Sequence, residues 1–435
     1  MVATPNKERA ALRTTMDHAS AAAAAQPPEM RRCVVVGATA RAFVASAVRA
    51  GWAAHAADLF ADDDLSATAA EVVRLGPGAA AAYPDGIPDV VAAFPEAPCV
   101  YTGGLENHPD VIAAIASLRP LAGCSADAVR RARDPAMIAA IVREAGLHFP
   151  EWRVTPSGLP RDGSFVVKPR RSAGGRGVRR WRGGTVAPAR GDCLWQRFVP
   201  GESRSASYVA RAGQARLVGA SRQLAGLRWC GARTFAYCGS VDVPLDSLSD
   251  RLRGSLERVG RALAAALGLE GLFGVDLIMD SRDGLHVLEI NPRPTASLEL
   301  VERATGWSVA AAHLSAFGWC ADPPQGHASP GIWAKAIAYA PRGATADAVA
   351  GAIADCAARW ASADGLPAIA DVPGSAEPPR PGAPLMTVFA RGDTSAAALA
   401  ALRRRVCDLR RLAVARVSPR AAAPSASRRR RGSTA

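Results

Sequence analysis

The sequence predicts an α/β (α+β) fold with a doubly wound opening, a middle rich in antiparallel strands and a small C-terminal α+β region. Three stretches carry that prediction. Residues 31–36 (RRCVVV) read as a buried strand that runs through Gly37 into a helical pattern ending near Ala50, the way doubly wound domains begin. Ser164–Val167 is a short apolar strand followed by Lys168 and a glycine loop, with a second strand from Val178. Two apolar runs, Leu272–Met279 and Leu285–Ile290, flank Ser-Arg-Asp-Gly, which is a hairpin signal.

A chain of 435 residues suggests about three domains. The expected boundaries are a disordered leader over 1–30, an opening domain over 31–128, a central domain over 129–330, a C-terminal region over 331–417 and a basic disordered tail over 418–435. No run of apolar residues is long enough to span a bilayer. The nine cysteines are scattered, with no C-x-x-C and no cluster with histidine. That fits reduced thiols and a cytoplasmic location. Net charge is +14, but residues 402–435 hold eleven arginines against one aspartate, or +10, which leaves +4 for the other 401 residues. The basicity belongs to the tail, and no nucleic-acid motif accompanies it, so no specific nucleic-acid partner is expected.

Taken in order, the first strand ends at Gly37-Ala38-Thr39-Ala40. This lacks G-x-G-x-x-G, so no dinucleotide is predicted there. A strand at Pro98–Tyr101 ends in Thr102-Gly103-Gly104, and Glu106, Asn107 and His108 follow in a loop. These three either contact a substrate or cap the helix starting at Pro109. Asp134-Pro135 reads as a helix N-cap with proline at the first position. Lys168 then sits at the base of Ser172–Gly177, whose glycines Gly174, Gly175 and Gly177 let backbone amides approach phosphate oxygens. An ordinary flexible hairpin is the competing reading. Only three lysines occur (Lys7, Lys168, Lys335) against fifty arginines, and the two ions are not interchangeable. Leu194–Gly201 reads as a strand ending in Pro-Gly that offers an adenine slot an apolar wall and backbone hydrogen-bonding groups. Strands are expected over Ser203–Val218 and Tyr237–Val243, and a helix over Ser247–Leu267 with one leucine-rich stripe.

In the hairpin that follows, register decides chemistry. A two-residue loop sets Asp276 opposite Asn291; a four-residue loop sets it opposite Glu289. Any even loop places Asp276, Glu289 and Asn291 on one face, and an odd loop separates them. Two carboxylates and an amide oxygen are hard ligands suited to Mg²⁺ beside phosphates. Arg293, just beyond, is placed to meet a phosphoryl group or a substrate carboxylate. An acidic solvated face is the alternative, but the chain has only three asparagines (Asn6, Asn107, Asn291). Further on, Ser297–Thr305 reads as a helix in which Glu299 and Arg303 form a structural i,i+4 pair. Residues 331–340 and Pro384–Ala390 read as strands, Lys335 either lining a site or covering a sheet edge, and Ser395–Arg416 as a basic helix.

The order of these parts resembles the ATP-grasp superfamily over roughly residues 31–330: strand-borne Lys168 with its glycine loop, Gln196-Arg197-Phe198-Val199-Pro200-Gly201, Gly274-Val275-Asp276 and Glu289-Ile290-Asn291-Pro292-Arg293. The resemblance implies a Rossmann-like domain before a two-lobed ATP-grasp fold. It implies that Lys168 and the lid Gly174, Gly175 and Gly177 hold ATP phosphates, and that Gln196, Phe198 and Val199 line the adenine slot. It implies Mg²⁺, or Mn²⁺, on Asp276, Glu289 and Asn291, and Arg293 steadying an acyl phosphate. Arg133 stands where the family often has another lysine, and Glu202 is the candidate ribose contact. The activity so implied joins a small-molecule carboxylate to an amine with release of ADP. A bicarbonate-using carboxylase and a non-catalytic ATP-binding regulator are the alternatives, and a cyclic homodimer is compatible with the sequence. TGGLENHPDVIAAI, YCGS and DVPG…PLMTVFARG are similar to an ATP-grasp subgroup linked to tetrahydromethanopterin or methanofuran one-carbon cofactor genes.

Overall fold

A computed structural model describes residues 31–76, 82–184, 193–323, 330–360, 366–374 and 380–414. The leader 1–30, the tail 418–435 and the last two residues expected of the basic helix, 415 and 416, lie outside the described residues.

The chain opens with β1 (Arg32–Gly37), α1 (Arg41–Arg49), β2 (Ala53–Asp58), α2 (Asp63–Ser66), β3 (Glu71–Arg74), α3 (Ile87–Ala93), β4 (Cys99–Tyr101) and α4 (Pro109–Leu118). The four strands form a parallel sheet in the order β3-β2-β1-β4. Cys33 to Val36 are fully buried, as expected of a strand covered on both faces. A helical bridge follows: α5 (Ala126–Ala132) and α6 (Pro135–Glu144), the latter capped by Asp134, whose carboxylate accepts the amides of Ala136 and Met137.

The small lobe is an antiparallel sheet of β5 (Trp152–Arg153), β6 (Phe165–Pro169), β7 (Arg179–Arg180) and β8 (Cys193–Arg197) in the order β5-β8-β6-β7. The large lobe begins with β9 (Glu202–Arg211), β10 (Gln214–Ala225) and β11 (Tyr237–Val243). Then come α7 (Asp250–Leu267), β12 (Gly271–Met279), β13 (Leu285–Asn291), α8 (Leu298–Thr305) and α9 (Val309–Ala316). Helix α7 starts later than its leucine pattern suggests. Leu245–Ser247 is a separate 3₁₀ turn, and Ser249 caps the helix by accepting the Leu252 amide. Leu256, Val259, Leu263 and Leu267 form its buried stripe.

Last come β14 (Ile332–Tyr339), α10 (Ala346–Arg359), β15 (Ile369–Ala370), β16 (Pro384–Gly392) and α11 (Ser395–Leu412). Their strands continue the large-lobe sheet, giving eight strands in the order β13-β12-β9-β10-β11-β14-β16-β15. One buried side chain ties the distant parts together. Arg41, at the start of α1, reaches Glu299 of α8 at 2.5 Å, Asp371 at 2.8 Å and Asp64 at 3.6 Å. Glu299 also meets Lys335 of β14 at 2.5 Å. It is thus held by partners from outside its own helix, and Arg303 donates to the Pro367 carbonyl. No described helix is long and apolar enough to cross a membrane.

Candidate active site

The two lobes, the opening domain and the bridge enclose a cleft of about 1130 Å³. One wall is the β12–β13 hairpin. Met279 pairs with Leu285, so the connection is the five residues Asp280–Gly284, an odd number. In an unbroken ladder only an even number would bring Asp276, Glu289 and Asn291 to one face. A β-bulge reconciles them: Leu277 pairs with Val287 while Asp276 pairs with Glu289, so Leu288 is an extra residue on β13. Odd loop and odd bulge together restore an even separation. Asp276, Glu289 and Asn291 therefore share the face that lines the cleft. Asp283, not Gly284, carries the left-handed turn conformation, at φ 60°.

Asp276 is held in place from both sides. Its Oδ2 accepts Asn291 Nδ2 at 3.0 Å, and its Oδ1 accepts Gln223 Nε2 at 2.7 Å. Ser203 in turn donates to Gln223 Oε1 at 2.8 Å. Burial, and then the Glu289 charge, push the Asp276 carboxyl up to about 7. Lys168 Nζ lies 3.3 Å from Glu289 Oε2, and its charge holds Glu289 below the usual carboxylate range. Burial thus disfavours charge on Asp276, while the neighbouring cations keep Glu289 ionised. Among the described residues, no three His, Cys, Asp or Glu side chains gather to hold a metal by themselves. Two carboxylates and an amide oxygen nevertheless fit a divalent ion that completes its shell with phosphate oxygens and water.

Arg293 faces the same cleft but is anchored from behind. Its Nε and Nη2 donate to Oε1 of Glu106 at 3.1 and 2.8 Å; Nη2 also meets Asn291 Oδ1 at 3.2 Å, and Nη1 meets the Pro294 carbonyl at 3.1 Å. A guanidinium has five N–H groups, so one hydrogen on Nη1 remains for a ligand. Glu106 is 2 % exposed, and its Oε2 accepts the Gly104 amide at 2.6 Å. Burial works to raise its pKa, and Arg293 more than offsets this, holding Glu106 as a carboxylate. Neither sequence reading of Glu106 anticipated this pairing. Asn107 accepts from Arg133 at 2.8 Å, and Arg133 also donates to the Arg170 carbonyl. Arg133 thereby joins the bridge to the loop after Lys168.

On the small lobe, Lys168 donates to Gln196 Oε1 at 3.4 Å, while Gln196 Nε2 is buried with no partner among the described residues. Phe198 and Val199 line the cleft beside it. A buried amide N–H without an acceptor is costly, and here it borders the cleft, where a ligand acceptor could satisfy it. The glycine loop lies folded against the large lobe: Tyr237 N donates to the Gly174 carbonyl at 2.9 Å. Gly175 has φ +72°, and a Cβ there would collide with the Phe235 carbonyl oxygen. Gly174 and Gly175 line the cleft, whereas Gly177 packs on Pro169.

Glu202, the candidate ribose contact, lies elsewhere. It does not line the cleft but faces a second cavity, paired with Arg204 at 2.6 Å and Arg222 at 3.9 Å. The cause is strand alternation: Ser203 and Ser205 of β9 face the cleft, so Glu202 and Arg204 face the other way. Gln223 and Ser203 were missed because nothing local marks them; only the β9–β10 register brings them beside Asp276.

Residues 132–297 match the family model described as the ATP-grasp domain. The structure resembles carboxyaminoimidazole ribonucleotide synthase from Aspergillus clavatus complexed with ATP, with TM-score 0.66 and 16 % identity over 89 % of this chain and 100 % of that one. L-amino acid ligase from Bacillus licheniformis gives TM-score 0.61 and 15 % identity over 86 % and 96 %. The fold is the ATP-grasp fold. By sequence, a 67-residue stretch is 36 % identical to the carbamoyl phosphate synthase large chain of Haemophilus ducreyi, covering 15 % of this chain and 6 % of that one. The chain thus spans only a small part of the curated relatives it matches. Within the ATP-grasp fold, the cleft between the lobes carries Lys168, Asp276, Glu289, Asn291 and Arg293 together.

Proposed function

We propose that the chain is an ATP-dependent carboxylate–amine ligase. The observation that carries the reading is the convergence in one cleft of Lys168, a pair of carboxylates beside an amide oxygen, and an arginine with one free N–H. A carboxylate lacks a leaving group. Transfer of the γ-phosphoryl group of ATP to it forms an acyl phosphate and releases ADP. The amine nitrogen then attacks the acyl carbon, the C–O bond to phosphate breaks, and the nitrogen loses a proton. Lys168 binds phosphate oxygens, and Gln196 Nε2 and the Phe198–Val199 edge receive the base. Arg293, held by Glu106, presents its remaining N–H to the charge growing on the transferred group. The folded glycine loop excludes water, which would otherwise hydrolyse the acyl phosphate. Asp276, Glu289 and Asn291 would hold Mg²⁺ or Mn²⁺, which supplies charge neutralisation of the phosphates when bound.

The likeness to a carboxyaminoimidazole ribonucleotide synthase favours a second reading, in which bicarbonate is the activated acid. We further place the acid and amine in one-carbon cofactor assembly. Support comes from the three segments similar to that subgroup, which all contribute to this cleft: Glu106 and Asn107, Tyr237 and Ser240, and Asp371 and Thr387. A cytoplasmic location and a homodimer complete this reading.

The test is release of ADP and phosphate from Mg²⁺-ATP against pools of carboxylates and amines, including glutamate and tyramine-like amines, with Glu289→Gln as control. Release that needs both an acid and an amine supports the ligase. Release with bicarbonate alone moves the assignment to a carboxylase. ATP binding without release from any pool, unchanged in the control, overturns both in favour of a regulatory protein.

A further inference from the structure

The second cavity, of about 600 Å³, lies on the opposite face of the large-lobe sheet from the active-site cleft. Its floor holds an arrangement that needs an explanation. Arg204 on β9 and Arg222 on β10 are direct cross-strand partners. Like charges set directly opposite destabilise a sheet. Among the described residues, Glu202 is the carboxylate paired with both, 2.6 Å from Arg204 and 3.9 Å from Arg222. Arg204 Nε is buried with no acceptor among the described residues. Arg251 stands at the rim, so three guanidinium groups face two carboxylates, Glu202 and Asp283.

Two long helices begin at this cavity. Ser249, the cap of α7, and Ser395, the first residue of α11, both line it, and each helix has 18 residues. Helix N-termini carry partial positive charge and favour anions, phosphate above all. Ser247 and Ser255 add hydroxyls, and Leu248, Leu252 and Met279 add an apolar wall. The volume is in the range of small-molecule sites and exceeds what a bare anion fills.

From the opposed arginines, the Arg204 Nε that lacks an acceptor, the two helix starts and the apolar wall, we infer that this cavity binds a small phosphorylated organic anion of sugar-phosphate or nucleoside-monophosphate size. Its phosphate lies between Arg222, Arg204 and the start of α7, and the organic part rests on Leu248 and Met279. The site is separate from the ATP cleft and does not depend on the activity proposed for it.

Isothermal titration of the full chain with ribose 5-phosphate tests this, with inorganic phosphate and ribose titrated in parallel. Ribose 5-phosphate is expected to bind, with affinity reduced at least about tenfold in Arg222→Gln, the scale of a lost charge-assisted pair. The affinity is expected to persist in Lys168→Met, which alters only the cleft. Equal affinity for inorganic phosphate would assign a free-anion site and overturn the organic-ligand assignment. Arg251→Gln, at the exposed rim, weakens binding too and decides the matter if Arg222→Gln fails to fold. Affinity unchanged in both arginine variants, affinity lost only in Lys168→Met, or no binding of either phosphate at millimolar concentration each overturns the proposal.

Discussion

Glu106→Gln removes one charge from a site where almost nothing else would change. The side chain keeps its size, and both of its oxygens are in use: Oε1 takes two N–H groups of Arg293, and Oε2 takes the Gly104 amide. A glutamine has one acceptor oxygen and one NH₂. Turned either way, it sets a donor against a donor at Arg293 or at Gly104. It also leaves Arg293, 13 % exposed at its side chain, without its paired charge. Breaking a buried pair from one side costs about 3–5 kcal/mol. The neutral isostere keeps one of the two contacts, so the lower end, about 3 kcal/mol, is expected in urea unfolding. The guanidinium also loses its aim, and ADP release should fall by roughly 10²-fold, the scale of losing one donor directed at developing charge. An unfolding free energy within about 0.5 kcal/mol of wild type, a shift typical of surface changes, together with unchanged ADP release would refute the anchoring role.

Mg²⁺ affinity should fall about tenfold per pH unit below about 7 and level off above it, because a proton on Asp276 competes with the ion; titration calorimetry between pH 6 and 8 reads this, and a flat profile contradicts it. Without metal the sign reverses. The folded protein holds that proton more tightly than the unfolded chain, so the thermal midpoint in chelator should drop as pH rises from the usual carboxylate range through about 7. Gly175→Ala places a Cβ against the Phe235 carbonyl, so the loop should lift, with a raised KM for ATP and faster proteolysis at 170–178. Glu202→Gln should leave ATP affinity unchanged, since the residue lies on the far face of the sheet; a severalfold loss in a binding titration would return it to the cleft.

What the sequence made legible was local. Strand, glycine loop and hairpin announce themselves within twenty residues, so Lys168, Asp276, Glu289, Asn291 and Arg293 could all be picked out. Contacts between distant segments stayed hidden. Glu106 and Arg293 are 187 residues apart, and Arg41 meets Glu299 across 258; no periodicity reports either pair. Glu202 was misplaced because which face of β9 turns inward depends on its pairing with β10 and β12, not on its own composition. The five-residue turn and its compensating bulge were not legible, because a bulge leaves no mark on an apolar run.

That bulge has a bearing on how this hairpin tolerates change. The spacing from Asp276 to Glu289 is a matter of odd and even, shared between turn and strand. Deleting one turn residue swings Glu289 and Asn291 to the opposite side of the sheet unless the bulge at Leu288 is absorbed in the same step. Removing both together leaves the cleft intact. Natural or engineered variants of this segment should therefore differ in length by two, or trade a residue between Asp280–Gly284 and Leu288, and single insertions should be found only where activity has been lost.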